Sequence, residues 1–147
     1  MPELMIVIAI MGILAGIAIP SWFGVVEGRA VDSGANQLKA DMRLSHSRAT
    51  NQLEPWKVVL TSGSSVYQMG KTGALKDRDF CGDGGCGAND PKVNFSGGGT
   101  VTITFNSDGS ASVTSVPAGS PTVYKVKVDG NSYYRDLEIA PATSRIK

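Results

Sequence analysis

The sequence predicts an α+β protein in which a long N-terminal membrane-spanning helix packs on an antiparallel β-sheet domain. Three features predict it. A charge-free run extends from Leu4 to Val26, apolar residues at helical spacing carry on from it to Leu53, and short alternating segments fill the chain from Trp56 onward. About 20 apolar residues suffice for a helix to cross the hydrocarbon core, and apolar residues at every second position mark half-buried strands.

The first run reads as a single membrane anchor carrying one water-exposed domain. A secretory signal peptide is the rival, but it would need a basic n-region and a shorter apolar core, and no Lys or Arg precedes Leu4. Glu3 stands directly ahead of the run. A carboxylate at the bilayer centre costs about 2.5–3.5 kcal/mol, whereas an acid in the first helical turn is favoured by the helix dipole. Glu3 is therefore either a helix-starting acid at the interface, with Pro2 ahead of it, or a buried counter-charge for a cation on a neighbouring subunit.

Beyond the run, Val31, Ala35, Leu38, Met42, Ala49 and Leu53 recur at helical spacing, with Ser45 and His46 in the gap. Asp32, Lys39, Asp41, Arg43 and Arg48 fall on the other faces. A helix from Leu4 to Leu53 would be roughly 75 Å long at 1.5 Å per residue, with a kink expected at Pro20. Its first half is apolar all round and its second half amphipathic, so the second half should lie on a domain core. The chain divides into an apolar helix over 1–26, its amphipathic continuation over 27–54 and a β-rich domain over 55–147.

Strands are expected at Lys57–Leu60, Val66–Gly70, Val101–Phe105, Ala111–Val116, Val123–Val128 and Ser132–Ile139. Asn106-Ser107-Asp108-Gly109 and Asp129-Gly130-Asn131 are hairpin turn signals. Val101, Ile103 and Phe105 share one face, as do Tyr124, Val126 and Val128, which predicts an antiparallel sheet with one buried side. Leu75 to Gly99 breaks the pattern and reads as exposed loop. Within it, Cys81 and Cys86 are close enough to bridge a tight ring, which an oxidising compartment would preserve. A metal pair is the rival, but zinc takes four ligands and only His46 remains to help. Asp77, Asp79, Asp83 and Asp90 lack calcium-loop spacing and read as solvated acids.

Enzyme signatures are missing. No nucleophile elbow, zinc-helix motif or phosphate loop occurs, and the one histidine, His46, reads as a helix-surface residue. The strand serines have no base beside them in the sequence pattern. No catalytic residue, metal, cofactor or small-molecule substrate is expected.

The stretch Glu3-Leu4-Met5-Ile6-Val7-Ile8-Ala9-Ile10-Met11-Gly12-Ile13-Leu14-Ala15-Gly16-Ile17-Ala18-Ile19-Pro20 resembles the N-terminal signature of type IV pilins and type II secretion pseudopilins. The resemblance implies a filament subunit whose acid pairs with the N-terminal amine of an adjacent subunit, a role that falls on Glu3. It also implies prepilin-type processing with N-terminal methylation. Met1 and Pro2 stand where family precursors carry a basic leader, which suggests a start assigned too late or a truncated fragment. A second stretch, Ala35 to Ala49, with the closing Tyr133-Tyr134-Arg135 and Ser144-Arg145-Ile146-Lys147, is similar to minor pseudopilins of the GspH/FimT type.

These resemblances imply a pilin-like fold and a non-enzymatic minor subunit of a type II secretion or type IV pilus filament. The implied partners are other pilin subunits and the membrane. The implied location is the bacterial inner membrane, single-pass, with the C-terminal domain periplasmic or extracellular. The alternative is a FimT-like minor pilin that binds DNA during uptake through Lys125, Lys127, Arg135, Arg145 and Lys147. Phosphate binding needs clustered positive charge. The formal net charge is only +1, and Asp129, Asp136 and Glu138 interleave with those cations, so a solvated sheet face accounts for them equally well.

Overall fold

The computed structural model describes residues 2–81, 86, 90–94, 98–116, 124–130, 133–140 and 145–146; within these, residues 18–24, 115–116, 124–127, 139–140 and 145–146 are described by backbone alone. One helix leads the chain: α1 covers Pro2–Gln52, 51 residues, roughly 77 Å at 1.5 Å per residue. It runs through Pro20 as one element. It stops where Leu53 adopts a left-handed φ of 54° and Pro55 lies just ahead, a position that can no longer continue the helix.

Among the described residues no helix is long and apolar enough to cross a membrane. This overturns the expected membrane-spanning segment, and with it the expected single-pass placement in a bacterial inner membrane. Glu27, Arg29 and Asp32 follow within the same continuous helix, and charged side chains are costly in a bilayer.

The strands that follow are β1 (Trp56–Thr61), β2 (Val66–Lys71), β3 (Ala74–Asp79), β4 (Lys92–Asn94), β5 (Thr100–Phe105), β6 (Ala111–Val116), β7 (Tyr124–Asp129), β8 (Tyr134–Ala140) and β9 (Arg145–Ile146). They form two antiparallel sheets rather than the one expected, ordered β3-β2-β1-β5-β6 and β4-β7-β8-β9. β4 staples the two. Val93 exchanges backbone hydrogen bonds with the β1–β2 turn, donating to the Ser64 carbonyl at 3.0 Å and accepting from Gly63 N–H at 2.8 Å. Asn94 donates to both carboxylate oxygens of Asp129 on β7 at 2.8 Å and accepts from the Ser62 hydroxyl at 3.3 Å.

β3 and β4 lie where the sequence reads as loop. β3 is an edge strand, exposed at every position but its last, so it has no buried row to imprint alternation on the sequence. Its hairpin with β2 turns on Thr72-Gly73, where Gly73 takes a φ of 92° that only glycine adopts freely. Gly70 is needed at the same hairpin, because a side chain there would collide with the Ala74 carbonyl.

The core is a row along α1 set against both sheets. Val31, Ala35, Leu38, Met42 and Ala49 are buried against Val58, Leu60, Tyr67, Ile103 and Phe105 of the first sheet and Val93, Val128 and Leu137 of the second. Leu53, expected to close that row, is instead 76% exposed, since its left-handed backbone takes it off the helical stripe. Ser45 fills the expected gap in the row; it is fully buried and donates to the Asp41 carbonyl one turn earlier at 2.9 Å. Asp41, which the sequence places off the apolar stripe, is also buried. The Tyr67 hydroxyl donates to its carboxylate at 2.6 Å, and Arg78 of β3 approaches it at 3.4 Å. Burial, and next the adjoining Asp41 carboxylate, push the Tyr67 phenol above its ordinary range. Gln37 completes the cluster by donating to the Asp79 carbonyl at 2.6 Å.

Leaving a buried acceptor without its donor costs about 1–3 kcal/mol. Tyr67→Phe should therefore lower unfolding stability by that amount in urea titration, with no change in the strand signal of the folded protein. A loss well below about 1 kcal/mol would mean that water replaces the phenol and that the cluster does not hold β2 to α1.

Candidate assembly surface

The N-terminal part of α1 stands clear of the domain. Among the described side chains, the first fully buried along it is Val31. Ahead of that, Leu4, Met5, Ile6, Val7 and Ile8 are 66%, 75%, 58%, 55% and 59% exposed. Consecutive residues on a helix point about 100° apart, so these five cover every azimuth. Ile10, Met11, Ile13, Leu14 and Ile17 repeat the pattern for two and a half further turns. Folded monomers rarely expose contiguous apolar area beyond a few hundred Å², and burying each such side chain gains about 1.5–3 kcal/mol. A rod that is apolar all round needs a surrounding of the same character.

Glu3 lies in the first turn of α1, exposed and without an ion-pair partner among the described residues. Its position suits the positive end of the helix dipole. Among the described residues nothing competes for its carboxylate, which leaves it available to a cation brought by another molecule.

Where α1 enters the domain, the second sheet grips it. Gly28 packs under the ring of Tyr133, and Arg135 of β8 donates to Asp32 of α1 through both Nε and Nη2, the latter at 3.3 Å. Arg135 shares its sheet face with buried Leu137, two residues on, so it faces the helix. A cleft of about 400 Å³ opens at this entry between Gly28 and Arg29 on one side and Tyr133 and Tyr134 on the other. Nothing local along the chain marks this clasp, because its two charges are far apart in sequence.

Of the cations expected to bind DNA, Arg135 is the one whose side chain is described. Arg135 is engaged by Asp32. The β7–β8 register sets Lys125 opposite Glu138 and Lys127 opposite Asp136, opposite charges at directly paired positions. Arg145 stands opposite Ala140 on β9, and Lys147 lies outside the described residues.

Cys81 and Cys86 are joined in a disulfide, Cα to Cα 5.3 Å. Asp90 completes a group of three potential ligand atoms with them, but sulfurs bonded to each other are not the thiolates that a metal takes. The Cys81 N–H is held by the Asp79 carboxylate at 3.2 Å, at the end of β3. Asp77 is also occupied, accepting from Gln68 at 2.9 Å. His46, read as a surface residue, is half-buried; its Nε2 lies 3.2 Å from the Gly109 carbonyl in the β5–β6 turn, and its ring meets Phe105 edge-on at 5.9 Å between centroids.

Comparison with protein families, with curated proteins and with solved structures finds no match in any of the three.

Two measurements test this geometry. The Arg135 guanidinium holds Asp32 below its ordinary value of 3.8. Since a depressed carboxyl pKa favours the folded state, the pair contributes fully above the unfolded value and is lost as pH falls through the folded one. In a carboxyl NMR titration Asp32 should titrate below 3.8 and return toward that value in Arg135→Gln; an unchanged midpoint would show that the ion pair does not persist in solution. Replacing both Cys81 and Cys86 by Ser should cost only about 2 kcal/mol, the chain entropy of so short a ring. Urea unfolding should show this with the strand signal intact, and collapse of the sheet would instead make the ring part of the core.

Proposed function

We propose that this chain is a non-enzymatic filament subunit of the pilin or pseudopilin kind, polymerising through the exposed apolar half of α1. The observation that carries the reading is the rod Leu4–Ile17, apolar on every side and uncovered by its own domain. Bundling such rods from successive subunits buries them against one another, while the antiparallel domain decorates the outside. The resemblance of Glu3–Pro20 to the pilin signature supplies the role of Glu3: its carboxylate meets the N-terminal amine of the neighbouring subunit, neutralising both charges inside an apolar bundle and setting the axial step. A minor position in the filament follows from the GspH/FimT-like stretch. The DNA-binding alternative gains nothing from the arrangement of Arg135, Lys125 and Lys127 opposite acids.

Removing one partner of a buried ion pair costs about 3–5 kcal/mol. Glu3→Gln should therefore reduce crosslinked incorporation into filaments by at least about tenfold (~1.4 kcal/mol), while circular dichroism of the domain stays as in the parent. Incorporation of the glutamine variant at the parent level would reduce Glu3 to a helix-starting acid.

A further inference from the structure

The inward row of β3 carries charge where its neighbours carry core. Register pairs Tyr67 with Arg78, Met69 with Lys76 and Lys71 with Ala74, and Lys71 in turn with Trp56. Directly opposed residues share a face, so Arg78, Lys76 and Ala74 continue the face that bears Trp56, Met69 and Tyr67. α1 packs over that face at β1, β2 and β5, and the row on β3 beyond it is exposed. The step leaves a cleft of about 510 Å³, floored by Trp56, Met69 and Gly70 and walled by Arg48 from α1 and Lys76 from β3.

Charge in this cleft is unbalanced: Arg48, Lys71, Lys76 and Arg78 line it with one acid, Asp77, which accepts from Gln68. Lys71 is paired with Glu54 and Arg78 with Asp41. No described carboxylate pairs with Arg48 or Lys76. The Arg48 guanidinium is held 4.9 Å over the Trp56 ring, a stacking that fixes its position without neutralising it. Trp56 is only 8% exposed, and its Nε1–H is the one buried side-chain group without a hydrogen-bond partner among the described residues. A lysine on an edge strand is a common guard against edge-to-edge pairing. That accounts for Lys76, but not for the arginine from a different element, the volume between them or the orphaned indole.

We propose that this cleft binds an organic anion with an apolar body, its headgroup between Arg48 and Lys76 and its body on Trp56 and Met69. The site is independent of filament assembly, since it lies on the first sheet and uses none of the residues of the N-terminal rod.

The test uses the full chain labelled with ¹⁵N, titrated with 3-phenylpropionate and, separately, with the uncharged 3-phenylpropionamide, while the indole N–H resonance of Trp56 is followed. The carboxylate should shift that resonance saturably, and the amide should bind at least about tenfold more weakly because it lacks the charge-assisted contacts. The Arg48→Gln/Lys76→Gln double variant should weaken carboxylate binding by at least about the same factor, with Lys76→Gln alone as the second variant should the double one melt early. Equal binding of acid and amide, parent-like affinity in the folded variants, or no saturable shift at Trp56 would each overturn the proposal.

Discussion

Everything in this molecule depends on one stripe of α1. Val31, Ala35, Leu38, Met42, Ser45 and Ala49 succeed one another at intervals of three and four residues, and both sheets bury their inner faces against them. Two sheets of five and four strands would each be marginal alone, with one face unprotected. Sharing a single helix gives each a partner, and β4 then locks them to each other through Val93 and Asn94. Ala35, Leu38, Met42, Ser45 and Ala49 are all buried along the stripe, so it is closely packed along its length.

Polar contacts set the position of the helix on that seat. Asp32 with Arg135 ties its entry to β8, Asp41 with Tyr67 and Arg78 ties its middle to β2 and β3, and His46 with Gly109 ties its end to the β5–β6 turn. Apolar packing alone would tolerate a slide of one turn along a stripe with this periodicity. Three separate polar contacts, each needing its own partner, do not.

The sequence makes some of this plain and hides the rest for identifiable reasons. α1 is legible because its apolar run and its later stripe extend over many turns, and β5 because Val101, Ile103 and Phe105 alternate with threonines. β3 is hidden because an edge strand exposed on both faces carries no alternation, and β9 because two residues are too few to show any. Division into two sheets is hidden because β4, only three residues long, carries no local signal of its pairing with β7. Asp41 and Arg135 look like ordinary surface charges, since nothing nearby in the chain announces the partner that the fold brings to each. The apolar rod is legible as a feature but its surroundings are not: composition says only that it must be covered, and a bilayer is one such cover among others.

Because α1 is a single continuous element, a pull on its first turn reaches the domain along the helix axis. Load arriving that way falls on the whole stripe from Val31 to Ala49 at once, and on the three polar contacts in parallel, rather than peeling strands away one after another. Unfolding under tension would then require the helix to shear past both sheets together. A chain built this way can anchor a small domain to a long assembly and hold it against drag, with the same side chains that fold it serving as its mechanical fastening.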